Sequence, residues 1–210
     1  MNAPHSRRDA ADAMRARLVA AAIDQLSAEG MRGLTHRRVE QRAEVSQGLV
    51  KYHFGSLDGL IEAVVEHMAD LELGAIMRVT PEQQATAAAT GEVPLEVWRA
   101  AHRAYAEIAA RPDLVRARFE LYLHAGRHPE LQAIIRRGRE RFVDAAAASL
   151  PCADPRAAAR MVLALMNGLL LHQLSAPEDI VDELAPAYLI ATGAAALLFP
   201  LTPVPPEALS

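Results

Sequence analysis

Proline and glycine cut this chain into apolar segments of helical length, and that division limits what it can fold into. Pro94, Pro112, Pro129, Pro155 and Pro177 each stand at the start of a segment, at about 94–110, 113–125, 129–149, 155–174 and 178–199. A proline at a helix start costs little, because the first N–H groups have no partner inside the helix. Pro186 falls inside the last segment, where it predicts a kink or a break. Upstream, Met14, Leu18, Ala22 and Leu26 share one helical stripe, widened by Val19 and Ile23, so a helix is expected from about Ala10 to Ala28. Gly30 suits the left-handed position that closes it. Leu60, Ile61, Val64, Val65, Met68 and Leu71 form the apolar face of a long helix from Leu57 to about Val79. Alanine is abundant, aromatic residues make up 4% and no strand pattern stands out, so the expected fold class is all-α.

Composition narrows the function classes. A single cysteine, Cys152, excludes an internal disulfide framework and a multi-cysteine zinc site. The N-terminus has arginines but no apolar stretch after a charged start, so no secretory signal is expected there. The longest apolar run, Met161 to Leu171, is interrupted by Asn167 and is too short to span a bilayer. A cytoplasmic protein without membrane partners is expected. The histidines are too scattered for a metal site, and neither metal nor cofactor is expected. No serine or cysteine elbow, paired Glu-x-x-His motif or glycine-rich phosphate loop argues for an enzyme. Net charge is −4, but residues 1–60 hold nine basic and seven acidic side chains, and the rest hold 13 and 19. A basic head on an acidic body is one reading, and ordinary surface scatter is the other.

Within the basic head, Gly33 to Phe54 reads GLTHRRVEQRAEVSQGLVKYHF, two short helices joined by a tight turn. Thr35 caps a helix running to about Arg42, with Val39 and Ala43 inward. Ala43, Glu44 and Val45 make the turn, and Ser46 caps a second helix ending near Phe54. Val50 and Phe54 lie four residues apart and face the first helix, which leaves Gln47, Gly48, Lys51 and Tyr52 outward. Gly55 breaks the helix, Ser56 caps the next, and Asp58 complements its first turn. A helix-turn-helix places its second helix in the major groove. Gln47 near the helix start can present its amide to adenine in two hydrogen bonds. Gly48 costs about 1 kcal/mol in a helix interior, which a close approach of backbone to DNA would explain. Lys51, the only lysine in the chain, and Tyr52 are placed for phosphates. Thr35, His36, Arg37 and Arg38 begin the preceding helix, whose N-terminal amides also suit a phosphate. On pattern alone, a surface hairpin with a solvated basic face is the alternative.

The first 75 or so residues resemble the TetR family of one-component transcriptional regulators, through GLTHRRVEQRAEVSQGLVKYHFGSLDGLIEAV. This stretch is similar to the family's small residue, threonine, amphipathic helix, Ala-Gly-Val-Ser turn and reading helix ending aromatic-His-aromatic. The spacing from Thr35 through Ser46 to Phe54 is kept without gaps. The resemblance implies that Thr35, Gln47, Gly48, Lys51, Tyr52 and His53 fall on positions that commonly contact DNA. With His36, Arg37, Arg38 and Ser46 they form the candidate DNA-binding set. Three residues depart from the pattern. Glu44 replaces the turn glycine, Lys51 stands where the family usually has tyrosine, and Leu57 replaces a phosphate-binding lysine. Lys51 is a candidate to supply the charge that Leu57 lacks.

The resemblance also implies an all-helical effector-binding and dimerisation domain, joined by the long fourth helix to the three-helix DNA-binding domain. Met161 to Leu174, MVLALMNGLLLHQL, is apolar almost all round and needs cover on both sides. It resembles the family's penultimate helix, which pairs with the last helix in a four-helix dimer interface. Met161, Leu165, Leu169, His172, Leu189 and Leu197 are the expected interface positions; a core helix in a monomer is the alternative. Trp98, His102 and Tyr105 share a helical stripe, Phe119, Tyr122 and His124 cluster on the next helix, and Met166 and Asn167 lie on the dimer helix. Polar groups among aromatics suit a small-molecule pocket, and ordinary core is the alternative. The expected order is a disordered arm 1–9, a DNA-binding domain 10–56 with reading helix 46–54, a connecting helix 57–79, a ligand-binding and dimerisation domain 80–200 that opens on an irregular segment 80–93, and a disordered tail 201–210. The expected function is a homodimeric, ligand-responsive repressor on double-stranded palindromic operator DNA. An activator on the same scaffold, or a helical interaction module that has lost DNA binding, are the alternatives.

Overall fold

The computed structural model of the chain describes residues 3–76, 105–147 and 154–176. Its named elements are all helices: α1 (Ala3–Gly33), α2 (His36–Arg42), α3 (Leu49–Phe54), α4 (Leu57–Ile76), α5 (Pro112–Ala125), α6 (Pro129–Ala147) and α7 (Pro155–Ser175). Residues 105–109 are helical as well. The proline rule holds where it is described: α5, α6 and α7 begin at Pro112, Pro129 and Pro155. Asp154 also caps α7, its carboxylate accepting from the Ala157 N–H at 3.0 Å. The segments expected around Pro94, Pro177 and Pro186, the irregular segment 80–93 and the tail lie outside the described residues.

The N-terminal helix is longer than its apolar stripe suggests. It starts at Ala3, so residues 3–9 of the expected disordered arm have helical backbone. Pro4 sits in the first turn, and no glycine or proline follows until Gly30, so nothing in the sequence stops the helix earlier. Gly30 breaks the run with φ 62° and ψ −166°, a conformation open essentially to glycine alone.

The described residues group into two compact units, one within Met1–Leu71 and Arg111–Arg139, the other within Glu72–Ala110 and Glu140–Ser210. In the first, Leu18, Ala22 and Leu26 of α1 pack in one core with Val39, Val50, Leu60 and Val64, and with Leu114, Ala117 and Leu121 of α5. The α5 helix lies close on α1: Ser27 Oγ donates to Asp113 Oδ1 at 3.1 Å. A Cβ at Gly30 would meet Glu120 Oε2 at 2.6 Å. A Cβ at Gly138 would stand 2.5 Å from Val65 Cγ1, so α6 needs glycine where it crosses α4. Nearby, Arg137 Nη2 donates to Glu62 Oε1 at 2.6 Å. Burial, with Arg111 adding to it and Asp70 opposing, lowers the pKa of His67 on α4 below its ordinary 6.5.

In the second unit, Phe142, Val143 and Ala146 of α6 pack with Ala159 and Leu163 of α7 and with Leu73. Arg156 pairs with Glu140 and Asp144, and Arg160 Nη2 stands 3.3 Å from Glu140 Oε1. The 21 residues of α7 are long and apolar enough to cross a bilayer by length and composition. The shorter apolar run read from the sequence understated this, because alanines 157–159 extend the helix ahead of Met161. The helix nevertheless buries Ala158, Ala159, Leu163, Met166 and Leu170 and pairs two arginines at its start, as a helix on a protein core does.

Candidate nucleic-acid interface

The stretch Gly33–Phe54 folds as two short helices across a turn, and its inner face is held in the core. Thr35 caps α2 as expected, its Oγ1 accepting from the Arg38 N–H at 3.3 Å. Val39 and Val50 are fully buried, and Phe54 packs partly against them. Glu44 turns the chain with φ 53°, the one non-glycine positive φ among the described residues. Its side chain is 87% exposed, with Arg17 Nη2 at 3.8 Å.

Two expectations about the reading helix need correction. Ser46 does not cap it, and the helix opens at Leu49 rather than at residue 46. Gly48 is the N-cap, with φ 95° and no side-chain cap bond of its own. The reason for this glycine is therefore that left-handed backbone, rather than a close approach within a helix. A buried carboxylate from the other helix does the capping. Glu40 Oε1 accepts from the N–H groups of Gly48 and Val50, each at 2.9 Å. Glu40 is 3% exposed. Nothing in the two-helix pattern marks it except a charged residue beside inward-facing Val39.

The far end of α3 is held by residues the sequence reading also passed over. Arg15 of α1 donates to the carbonyl oxygen of His53, and its guanidinium carbon lies 4.5 Å from the centroid of the Phe54 ring. A Cβ at Gly59 would fall 2.2 Å from the Phe54 carbonyl oxygen, so α4 abuts the end of α3. Ser56 caps α4 as expected, its Oγ accepting from the Gly59 N–H at 3.1 Å. Leu57 packs partly against the core, which gives that position an apolar role.

Most of the candidate contact residues are exposed. Ser46, Gln47, Gly48, Lys51 and Tyr52 are exposed, Tyr52 to 80%. The Tyr52 and His53 rings meet edge-on at 4.9 Å. Thr35 and Arg37 are exposed, while His36 is half-buried. Two arginines of α2 are turned to partners: Arg38 pairs with Glu29, and Arg42 Nε donates to Gln25 Oε1 at 2.8 Å.

The residues singled out for a ligand fall in both units. In the first, the rings of Phe119 and Tyr122 meet edge-on at 6.1 Å, and the Arg139 guanidinium carbon lies 4.8 Å from the Tyr122 centroid. His124 stacks on His128 at 4.0 Å although α5 ends between them. In the second, Tyr105 and Met166 are buried, and the Asn167 amide donates to the Leu163 carbonyl at 2.7 Å. Trp98 and His102 lie outside the described residues. Of the expected dimer positions, Met161 and His172 are exposed, Leu165 and Leu169 are half-buried, and Leu189 and Leu197 lie outside the described residues.

Residues 18–64 match the family model for bacterial regulatory proteins of the tetR family, and residues 94–198 match the model for the tetracyclin repressor-like C-terminal domain. The chain is 29% identical over 175 residues to the HTH-type transcriptional regulator BetI of Burkholderia mallei (strain NCTC 10229), covering 81% of this chain and 87% of that protein. It is 30% identical over 162 residues to BetI of Paraburkholderia xenovorans (strain LB400), covering 75% and 80%. The crystal structure of the multidrug binding protein EbrR complexed with malachite green is similar with a TM-score of 0.62 at 26% identity, covering 85% of this chain and 96% of that one. The chain belongs to the TetR family of transcriptional regulators, all-α proteins in which an N-terminal DNA-binding helix-turn-helix is followed by a C-terminal helical domain.

Proposed function

We propose that this regulator is a homodimeric, ligand-responsive repressor that grips a palindromic operator with one α3 per half-site. The observation that carries the reading is the two-sided build of residues 35–54: Val39, Val50 and Phe54 anchor it, and Gln47, Lys51 and Tyr52 stand exposed on the other side. Gln47 meets base edges, with Gly48 beside it, its N–H held by Glu40 and its carbonyl by the Tyr52 N–H. Thr35, Arg37, Lys51 and Tyr52 meet phosphates, with His36, Arg38, Ser46 and His53 at the margins of the contact. Two such units fit half-sites about 34–36 Å apart. Pairing of two copies is supported by α7, whose exposed stripe of Met161, Ala164, Gly168, Leu171 and His172 is largely apolar. A Cβ at Gly168 would meet nothing within 4 Å, which leaves room for a partner's backbone. A small-molecule effector is supported by the likeness to EbrR, a multidrug binding protein seen with malachite green. Phe119, Tyr122 and His124 are candidate contacts within the first unit, and Tyr105, Met166 and Asn167 are separate candidates within the second. A full switch needs an effector that prefers one state by about 10⁴-fold. Such a protein works in the cytoplasm.

The test is fluorescence anisotropy with duplexes from the DNA upstream of the chain's own coding sequence, titrated with salt. A dimer should bind one palindrome specifically, and hits from a thermal-shift screen of small molecules should release it. Lys51→Ala should weaken every duplex alike and reduce the salt slope by about one per half-site, so by about two for the dimer. An unchanged slope removes Lys51 from the phosphate contacts. A folded dimer that shifts no DNA at low salt favours an interaction module instead, for which the Glu44 and Leu57 departures speak.

A further inference from the structure

We infer that Glu40 is a positioning residue for sequence readout, one that sets where Gln47 stands against a base without touching DNA itself. The inference rests on the DNA-binding reading above. The α3 helix has six residues, which is under two turns, and helices so short are not stable alone in water. Its placement therefore depends on what holds its ends. Glu40 holds the leading end at three points. Its carbonyl oxygen accepts from the Val45 N–H at 3.0 Å. Its carboxylate oxygen Oε1 accepts from Gly48 and Val50 at 2.9 Å each. Ser46 and Gln47 lie between those ties. The left-handed Gly48 backbone is part of the arrangement, because it lets the turn close and the helix start within two residues.

The chemistry makes this a demanding contact. A carboxylate at the positive end of a helix makes short, charge-assisted bonds to its free N–H groups. Removing it would leave the buried Val50 N–H without an acceptor. Base readout by an amide needs both of its hydrogen bonds in register and tolerates errors of only about 0.5 Å. A phosphate contact from a long, flexible lysine tolerates more. Loss of Glu40 should therefore erode sequence choice before it erodes general DNA affinity, whereas simple unfolding would erode both together.

The experiment compares operator with a scrambled duplex of equal length, at one salt concentration, on the full-length protein and its Glu40 variants. Glu40→Ala should weaken operator binding by about tenfold or more and the scrambled duplex by less than about threefold. Backbone amide exchange at Gly48 and Val50 should quicken while that of the α1 core is kept. Glu40→Gln keeps an acceptor at Oε1 and should restore most of the ratio. Should Glu40→Ala fail to fold, Glu40→Asp, too short to span both amides, makes the same comparison. Equal losses on both duplexes, or an unchanged ratio despite faster exchange, would overturn the inference. Wild-type protein that cannot tell operator from scrambled DNA would instead overturn the DNA-binding reading, and that is seen before any variant is made.

Discussion

Glu44 bears the cost of its turn. At φ 53° an L side chain is disfavoured by about 1–2 kcal/mol. Its 3.8 Å approach to Arg17 returns little, because both groups are exposed. Glycine there would remove that strain but add about 0.5–1 kcal/mol of backbone entropy loss. Glu44→Gly should thus stabilise the protein by about 0.5–1 kcal/mol, read as a higher melting temperature at fixed pH. It should also tighten binding to any duplex, since it takes a negative charge from the DNA-facing turn. A lower melting temperature would show that the Arg17 contact outweighs the backbone strain. At this scale the local chemistry was legible in the sequence. Thr35 caps because a hydroxyl three residues before an amide reaches it, and Val39 and Val50 bury because spacing puts them inward. Ser46 looked equally local, and there the local rule lost to Glu40, eight residues from Gly48 and on another helix.

Elements this short are placed by their neighbours. Glu40 sets the start of α3, Arg15 and Gly59 set its end, and two of those three come from other helices than its partner α2. Gly59→Ala tests the end contact. Alanine gains about 1 kcal/mol of helix propensity, but its Cβ would fall 2.2 Å from the backbone oxygen of Phe54, which no side-chain rotation relieves. Overpacking of this kind costs about 1–3 kcal/mol, so a net loss of stability is expected on denaturant titration, together with weaker operator binding. A more stable variant would mean that α3 shifts freely at its end. Helix starts at Pro112, Pro129 and Pro155 were readable ahead of the structure, because proline acts within one turn. The helical start of α1 at Ala3 was not, since the apolar stripe that marks a helix begins only where packing begins.

For the molecule as a whole, the exposed stripe of α7 is the feature with most at stake. Ala164 and Gly168 lie at its centre, flanked by Met161 and Leu171, exposed to 44% and 47%. Ala164→Arg would place an unpaired charge in any interface formed there, at a cost of several kcal/mol. Sedimentation should then show a monomer that keeps its helical content, and operator affinity should fall as the second half-site is lost. A dimer that persists would move the interface elsewhere on the chain. The sequence by itself determined the helical class, most helix limits, the inward faces and the exposure of Gln47, Lys51 and Tyr52, because periodicity, caps and proline act over a few neighbouring residues. Only the tertiary structure decided that Glu40 caps α3, that Arg15 and Gly59 hold its far end, that Gly48 is needed for its left-handed backbone, and that α5 packs on α1. Each of these depends on where residues distant along the chain are brought together, and no local pattern carries that distance.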